Sequence, residues 1–224
     1  MKKIKLVNIA VIITCMLFFC TNYEYLVSYA NENTKSNLNV KAGLGKNKPT
    51  EPIIDLDKEA WSTGAFTVKA VSSFHFQKTG VGSYSYSETY SANVKALGIE
   101  VDDLRGTGEG WQLQVKMESF KDSSSKELEG WKLFIPTYQV KSEGENVTTD
   151  VTSPKANSVE LNEIMQTETI LKADKDTGMG AFTNVFYQDT LAKEKGVRLD
   201  IPITSKKGSF TGKLVWSLSA VPPI

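Results

Sequence analysis

A chain of 224 residues with 26 basic and 26 acidic side chains has no net charge while its single histidine is neutral, so its balance does not draw it to nucleic acid or to an acidic polymer in bulk. Both cysteines, Cys15 and Cys20, lie near the N-terminus, which leaves the rest of the chain no thiol for a disulfide, a Cys-His pair or a thiolate metal site. One histidine, His75, likewise excludes a zinc site built on two.

In chain order, Lys2, Lys3 and Lys5 precede the apolar run LVNIAVIITCMLFFC from Leu6 to Cys20, the layout of a secretory signal. The run is shorter than the roughly 20 residues that cross a bilayer, and Ser28 and Ala30 put small residues where a cleavage site needs them. Cleavage is expected after Ala30, giving a signal segment over 1–30. An uncleaved anchor is the alternative, because Thr21 to Tyr29 is long for the stretch before such a site. Phe18 and Phe19 before Cys20 are too large for lipoprotein processing. Cleavage removes Lys2, Lys3, Lys5 and Glu24 and leaves 194 residues with a balance of −2. A chain of that length can bury a core without disulfides, and an exported chain without cysteine suits a Gram-positive bacterium better than an animal extracellular protein.

Residues 31–60, with NENTKSNLNVKAGLGKNKPTEP, are polar and read as a flexible linker. A domain is expected over 61–224. In FTVKAVSSFHF, Val68, Ala70, Ser72, Phe74 and Phe76 share one parity, the signature of a half-buried strand. Tyr84, Tyr86, Tyr90, Ala92 and Val94 share the next. Trp111, Leu113, Val115 and Met117 alternate with Gln112, Gln114 and Lys116; Trp131, Leu133 and Ile135 follow, then Val197, Leu199, Ile201 and Ile203, and finally Leu214, Trp216, Leu218 and Ala220. Turn-forming clusters such as KTGVG, RGTGEG, KDSSSKE and SEGENVTTD separate these runs. Only NSVELNEIM and DTLAKEKG look able to form a helical turn. The expected fold class is all-β, an antiparallel β-sandwich with long loops and at most short helical turns.

The stretch DDLRGTGEGWQLQVKM resembles the first signature of the WxL domain, a Gram-positive cell-wall-binding family, in which an Asp and Gly-rich turn leads into a Trp-x-Leu strand. The C-terminal stretch is similar to the second, with Phe210, Leu214, Val215, Trp216, Leu218 and Pro222 at its positions, Phe210 standing for the usual Tyr and Val215 for the usual Thr. A third Trp-x-Leu, at Trp131 to Leu133, lies outside both contexts and reads as a coincidence in a core strand. The resemblance implies non-covalent attachment to peptidoglycan at the cell surface, with a membrane-anchored WxL-interacting protein and other WxL proteins as further partners. The residues agree in part: an export signal is present, but no Leu-Pro-x-Thr-Gly sorting motif and no C-terminal apolar segment follow it. Release to the medium is the competing outcome, and the alternative function is a protein-partner or adhesive subunit of a surface complex with the membrane-anchored WxL-interacting protein.

Candidate contact or motif residues are Trp111, Leu113, Trp216, Leu218, Tyr84, Tyr86 and Tyr90, since aromatic faces stack on sugar rings. Trp111 and Trp216 can equally be core residues that fix the neighbouring loops. The three tyrosines fit either a core edge or a ligand face. No catalytic residue, cofactor or metal is expected: His75 sits opposite the parity of Phe74 and Phe76, and no Gly-x-Ser-x-Gly elbow surrounds any serine. A hydrolase using two carboxylates is the enzyme alternative, but Asp102, Asp103 and Glu109 read as turn residues in a loop before a strand. In ADKDTG, Asp174 and Asp176 lack the remaining ligands of a calcium loop, so a solvated turn is expected. Asn146 of NVT carries no weight as a sequon. Lys193, Lys195, Arg198, Lys206 and Lys207 fall close together and read as a solvated rim. The protein is expected to be secreted and held at the wall surface, without a membrane span in the mature form.

Overall fold

Alternating runs separated by glycine-rich turns pair into antiparallel ladders, because each buries one face and satisfies its backbone on a neighbour. A computed structural model describes residues 64–77, 79–89, 94–122, 129–142, 152–162 and 165–220, all within the unit Lys41–Ile224. The expected signal (1–30) and linker (31–60), with Tyr90, Asn146 and Pro222, lie outside the described residues. Thirteen strands are described: β1 (Phe66–Val71), β2 (His75–Phe76), β3 (Tyr84–Glu88), β4 (Ala96–Asp103), β5 (Trp111–Asp122), β6 (Lys132–Ile135), β7 (Gln139–Ser142), β8 (Lys155–Ala156), β9 (Val159–Leu161), β10 (Thr167–Ala173), β11 (Gly180–Gln188), β12 (Arg198–Asp200) and β13 (Phe210–Ala220). Among the described residues the helical content is one 3-10 turn, Lys193–Lys195, within DTLAKEKG.

The strands form three antiparallel sheets: sheet I, β1-β4-β11-β7; sheet II, β13-β5-β10-β8; and sheet III, β2-β3-β12-β6-β9. The chain is all-β and sandwich-like. One core joins the sheets, with Leu97, Ile99 and Val101 of β4, Phe182 and Phe186 of β11, Trp111, Leu113 and Val115 of β5, and Leu133 and Ile135 of β6, each at most 5 % exposed. Fully burying such a side chain is worth about 1.5–3 kcal/mol, so this cluster is the main source of stability.

Several runs that alternate without interruption in sequence are divided in space. The Val68 to Phe76 parity splits into β1 of sheet I and β2 of sheet III, with a bulge in β1 between Val68 and Ala70. Of the tyrosine run, Tyr84 and Tyr86 lie in β3, and β4 begins in another sheet with all eight of its residues buried. The Val197 to Ile203 run yields only β12; Pro202 has no N–H for a ladder, and Ile203 is 78 % exposed. Within NSVELNEIM, Val159–Leu161 forms β9, a strand in place of the expected helical turn, because Val159 and Leu161 alternate around Glu160 and pair with Ile135 and Leu133. Asp102 and Asp103 are not loop residues. They are the buried end of β4, where Lys69 and Arg105 supply their counter-charges.

Candidate functional site

The first signature is a clamp around a sealed indole. Trp111 is 0 % exposed, and its Nε1 donates to the carbonyl of Gly178 at 2.9 Å. That contact needs glycine on both flanks. A Cβ on Gly178 would lie 2.3 Å from the Ala173 Cβ and 2.8 Å from Trp111 Nε1, and one on Gly110 would lie 2.7 Å from the Ala173 carbonyl oxygen. Both glycines have positive φ, 69° and 76°, which a side chain would strain further.

Arg105 ties the intervening loop together. Its Nε and Nη2 donate to the two Asp103 carboxylate oxygens at 2.8 and 2.9 Å, its Nη1 reaches Glu109 at 3.2 Å, and its guanidinium covers the Phe66 ring at 3.8 Å. Donating these hydrogen bonds to the Asp103 carboxylate raises the Arg105 pKa above its ordinary value. Beyond the loop, Asp176 donates its backbone N–H to the Gly108 carbonyl at 2.8 Å, so ADKDTG acts as a structural turn against the signature.

The second signature lies beside the first. In β13, Leu218 stands opposite Leu113, Trp216 opposite Val115 and Ala220 opposite Trp111, so the two Trp-x-Leu strands are ladder neighbours. Trp216 and Leu218 point to the core face and are partly buried, and Trp216 stacks on Phe186 across the sandwich (centroids 6.1 Å apart, interplanar angle 9°). The third tripeptide is connected to this pair. Trp131, 3 % exposed, packs its ring 5.0 Å from that of Phe210 at the start of β13.

The tyrosines face the other way. In β3, Ser85 and Ser87 are the buried residues, while Tyr84 is 59 % exposed and Tyr86 partly so. Small hydroxyls fit inside because the backbone satisfies them: Ser85 Oγ donates to the Gln77 carbonyl and Ser87 Oγ accepts the His75 N–H, each at 2.9 Å. Residues opposite one another across a ladder share a face, so Tyr86, Arg198, Phe134 and Glu160 form one row across β3, β12, β6 and β9. Tyr84, Asp200 and Lys132 form the next.

Arg198 is the centre of this face. Its guanidinium lies 4.9 Å from the Tyr84 ring and 5.2 Å from the Phe134 ring, and its Nε donates to Asp200 Oδ1 at 2.7 Å. That hydrogen bond raises its pKa, and the aromatic neighbours hold it flat. Lys132 and Glu160 close the rim at 3.6 Å. The result is an outward surface of aromatic faces around a fixed donor–acceptor pair.

Of the sequence-expected residues, the structure thus brings together Trp111, Leu113, Trp216 and Leu218 on the core face of sheet II, and Tyr84 with Tyr86 on the outer face of sheet III. Phe134 and Asp200 carried no signal in the sequence, and Arg198 stood there among solvated charges. Only the strand pairing makes them neighbours of the tyrosines. A family model described as WxL domain surface cell wall-binding matches residues 27–222. No curated protein and no solved structure matches the chain.

Proposed function

The chain belongs to the WxL family of cell-wall-binding surface domains, and from that premise we propose that the outer face of sheet III is the part that meets the wall, taking glycan and peptide stems of peptidoglycan without a covalent bond. The observation that carries this reading is the Tyr86–Arg198–Phe134 row with Tyr84 beside it. Aromatic faces cover the apolar faces of sugar rings, while the Arg198–Asp200 pair offers donors and acceptors in fixed positions to ring hydroxyls and stem amides. The protein is exported by its N-terminal segment, acts outside the cell, and binds without carrying out a reaction.

Retention on purified, protein-free walls tests this, with charged polymers present and then stripped, and with salt raised to about 1 M, where the screening length is roughly 3 Å. Stacking and hydrogen bonding to a neutral ligand predict retention under all of these conditions. The double variant Tyr84→Ala, Phe134→Ala should lose most retention while keeping wild-type circular dichroism and melting. Undiminished retention by that variant, or loss of wild-type binding on stripping alone, overturns the proposal.

A second reading rests on β13, which among the described residues pairs only with β5 and offers an eleven-residue edge. An open edge accepts an added strand, and a membrane-anchored WxL-interacting protein or another WxL protein is the partner this reading assigns. Retention on walls only in the presence of such a partner favours it over direct peptidoglycan contact.

A further inference from the structure

Sheet I carries a charged cluster on the face turned away from the main core. Lys69, Glu100 and Asp102 are 1, 0 and 1 % exposed, and Lys69 Nζ lies 3.2 Å from Glu100 Oε1 and 3.5 Å from Asp102 Oδ2. The backbone dictates this meeting. Glu100 and Asp102 are two apart in β4 and share a face, while Lys69 is the extra residue of the β1 bulge, between Val68 opposite Val101 and Ala70 opposite Glu100. On the same face lie Ala70, Ala96 and Val185, all at most 2 % exposed, so the charges sit among apolar groups. Thr183 Oγ1 donates to Glu100 Oε2 at 3.3 Å and anchors that carboxyl from β11.

Among the described residues one ammonium lies between two carboxyl groups, where water cannot screen the charges. Such a site is costly, and the desolvation of both partners exceeds what one ion pair returns unless the geometry is otherwise satisfied. It also holds an amine within 3.5 Å of an oxygen of each carboxyl, a disposition that favours condensation: the reactants are close, stripped of solvent, and next to a second carboxyl able to move protons.

We infer that Lys69 and Asp102 join in an intramolecular amide bond, with Glu100 as the proton carrier. The Lys69 ammonium passes a proton to the Asp102 carboxylate, and the neutral amine attacks the Asp102 Cγ. Glu100, in its protonated form, gives its proton to the oxygen of the tetrahedral adduct and takes one from nitrogen. The C–O bond then breaks and the oxygen leaves as water. Nitrogen gives up two of its three hydrogens, both depart in that water, the N–C bond replaces the C–O bond, nothing is oxidised, and Glu100 ends as it began. Both charges of the pair disappear, so the burial that penalises the ions drives the reaction. Thr183 fixes Glu100 as the carrier, and the shorter Asp102 is the acceptor that links β4 to β1. The product is a covalent staple in a domain whose chain has both of its cysteines upstream, at Cys15 and Cys20.

Intact-mass measurement of the purified protein decides the matter. The wild-type chain should weigh less than its sequence by one water, and a protease digest should contain one branched peptide joining the Lys69 and Asp102 segments. Lys69→Arg keeps the charge but cannot form the bond, and Glu100→Gln keeps the shape but removes the carrier; both should return to the full sequence mass. A wild-type protein at full mass with Lys69 and Asp102 in separate linear peptides overturns the inference whether or not the variants fold. A branch through Glu100, or a Glu100→Gln protein that still lacks one water, overturns the roles assigned to the two carboxyls.

Discussion

The two signature strands are neighbours in sheet II but occupy different positions in it. β5 is flanked by β13 on one side and β10 on the other, and Trp111 on it is sealed; β13 has β5 alone among the described residues, and Leu214, Trp216 and Leu218 on it keep part of their surface exposed. The same tripeptide therefore supports the fold to different degrees. A central strand is covered from both flanks and locks its indole with a hydrogen bond, whereas an edge strand holds its indole by one flank and one stacked ring.

Truncating the central indole is the strongest way to probe that contrast. Trp111→Ala empties a fully buried site and leaves the Gly178 carbonyl without its donor, a loss of about 3–5 kcal/mol out of the roughly 5–15 that holds a typical domain folded. Urea titration followed by circular dichroism should show a large fall in midpoint. Gly178→Ala comes next: its positive φ and the crowding by Ala173 predict a loss of about 1–3 kcal/mol and a displaced indole, visible as a shift in tryptophan fluorescence. Trp216→Ala should cost less than Trp111→Ala, about 1–2 kcal/mol, since only part of the ring leaves water. Equal losses at the two tryptophans would break the comparison.

The smallest effect concerns the turn that presents Gly178. Hydrogen bonds from Lys155 and then Lys172 hold the Asp174 carboxyl below its ordinary 3.8. A depressed carboxylate pKa adds stability above the unfolded value and loses it as pH falls through the folded one, so the contribution is complete at neutral pH and fades only in acid below 3.8. The group is exposed and screened, so Asp174→Asn should leave the neutral-pH melting temperature almost unchanged while Trp111→Ala lowers it sharply. An NMR titration of Asp174 at or above 3.8 would show that the ion pairs do not form in solution.

The Trp111 to Met117 alternation reads correctly in the sequence because β5 is half-buried along that stretch and period 2 separates its faces. The Tyr84 to Ser87 stretch has the same period but the opposite sense. There the larger side chains are outside, since Ser85 and Ser87 find backbone partners that no local pattern announces. Lys69 is a plainer failure of local reasoning. A lysine between Val68 and Ala70 reads as solvent-facing, and only the bulge together with Glu100 and Asp102 makes its burial tolerable.

Taken alone, the sequence determined that the chain builds strands, where the turns interrupt most of them, and that two signatures of the wall-binding family stand in order. Those properties are local: residue period, turn chemistry and short motifs are set by neighbours along the chain. Tertiary structure decided which face of each strand is inside, that the two signatures pair with each other, that Arg198 sits between Tyr84 and Phe134, and that one lysine is enclosed by two carboxylates. Each of these depends on contacts between residues distant in sequence, and period 2 divides a strand into two faces without saying which of them another sheet will cover.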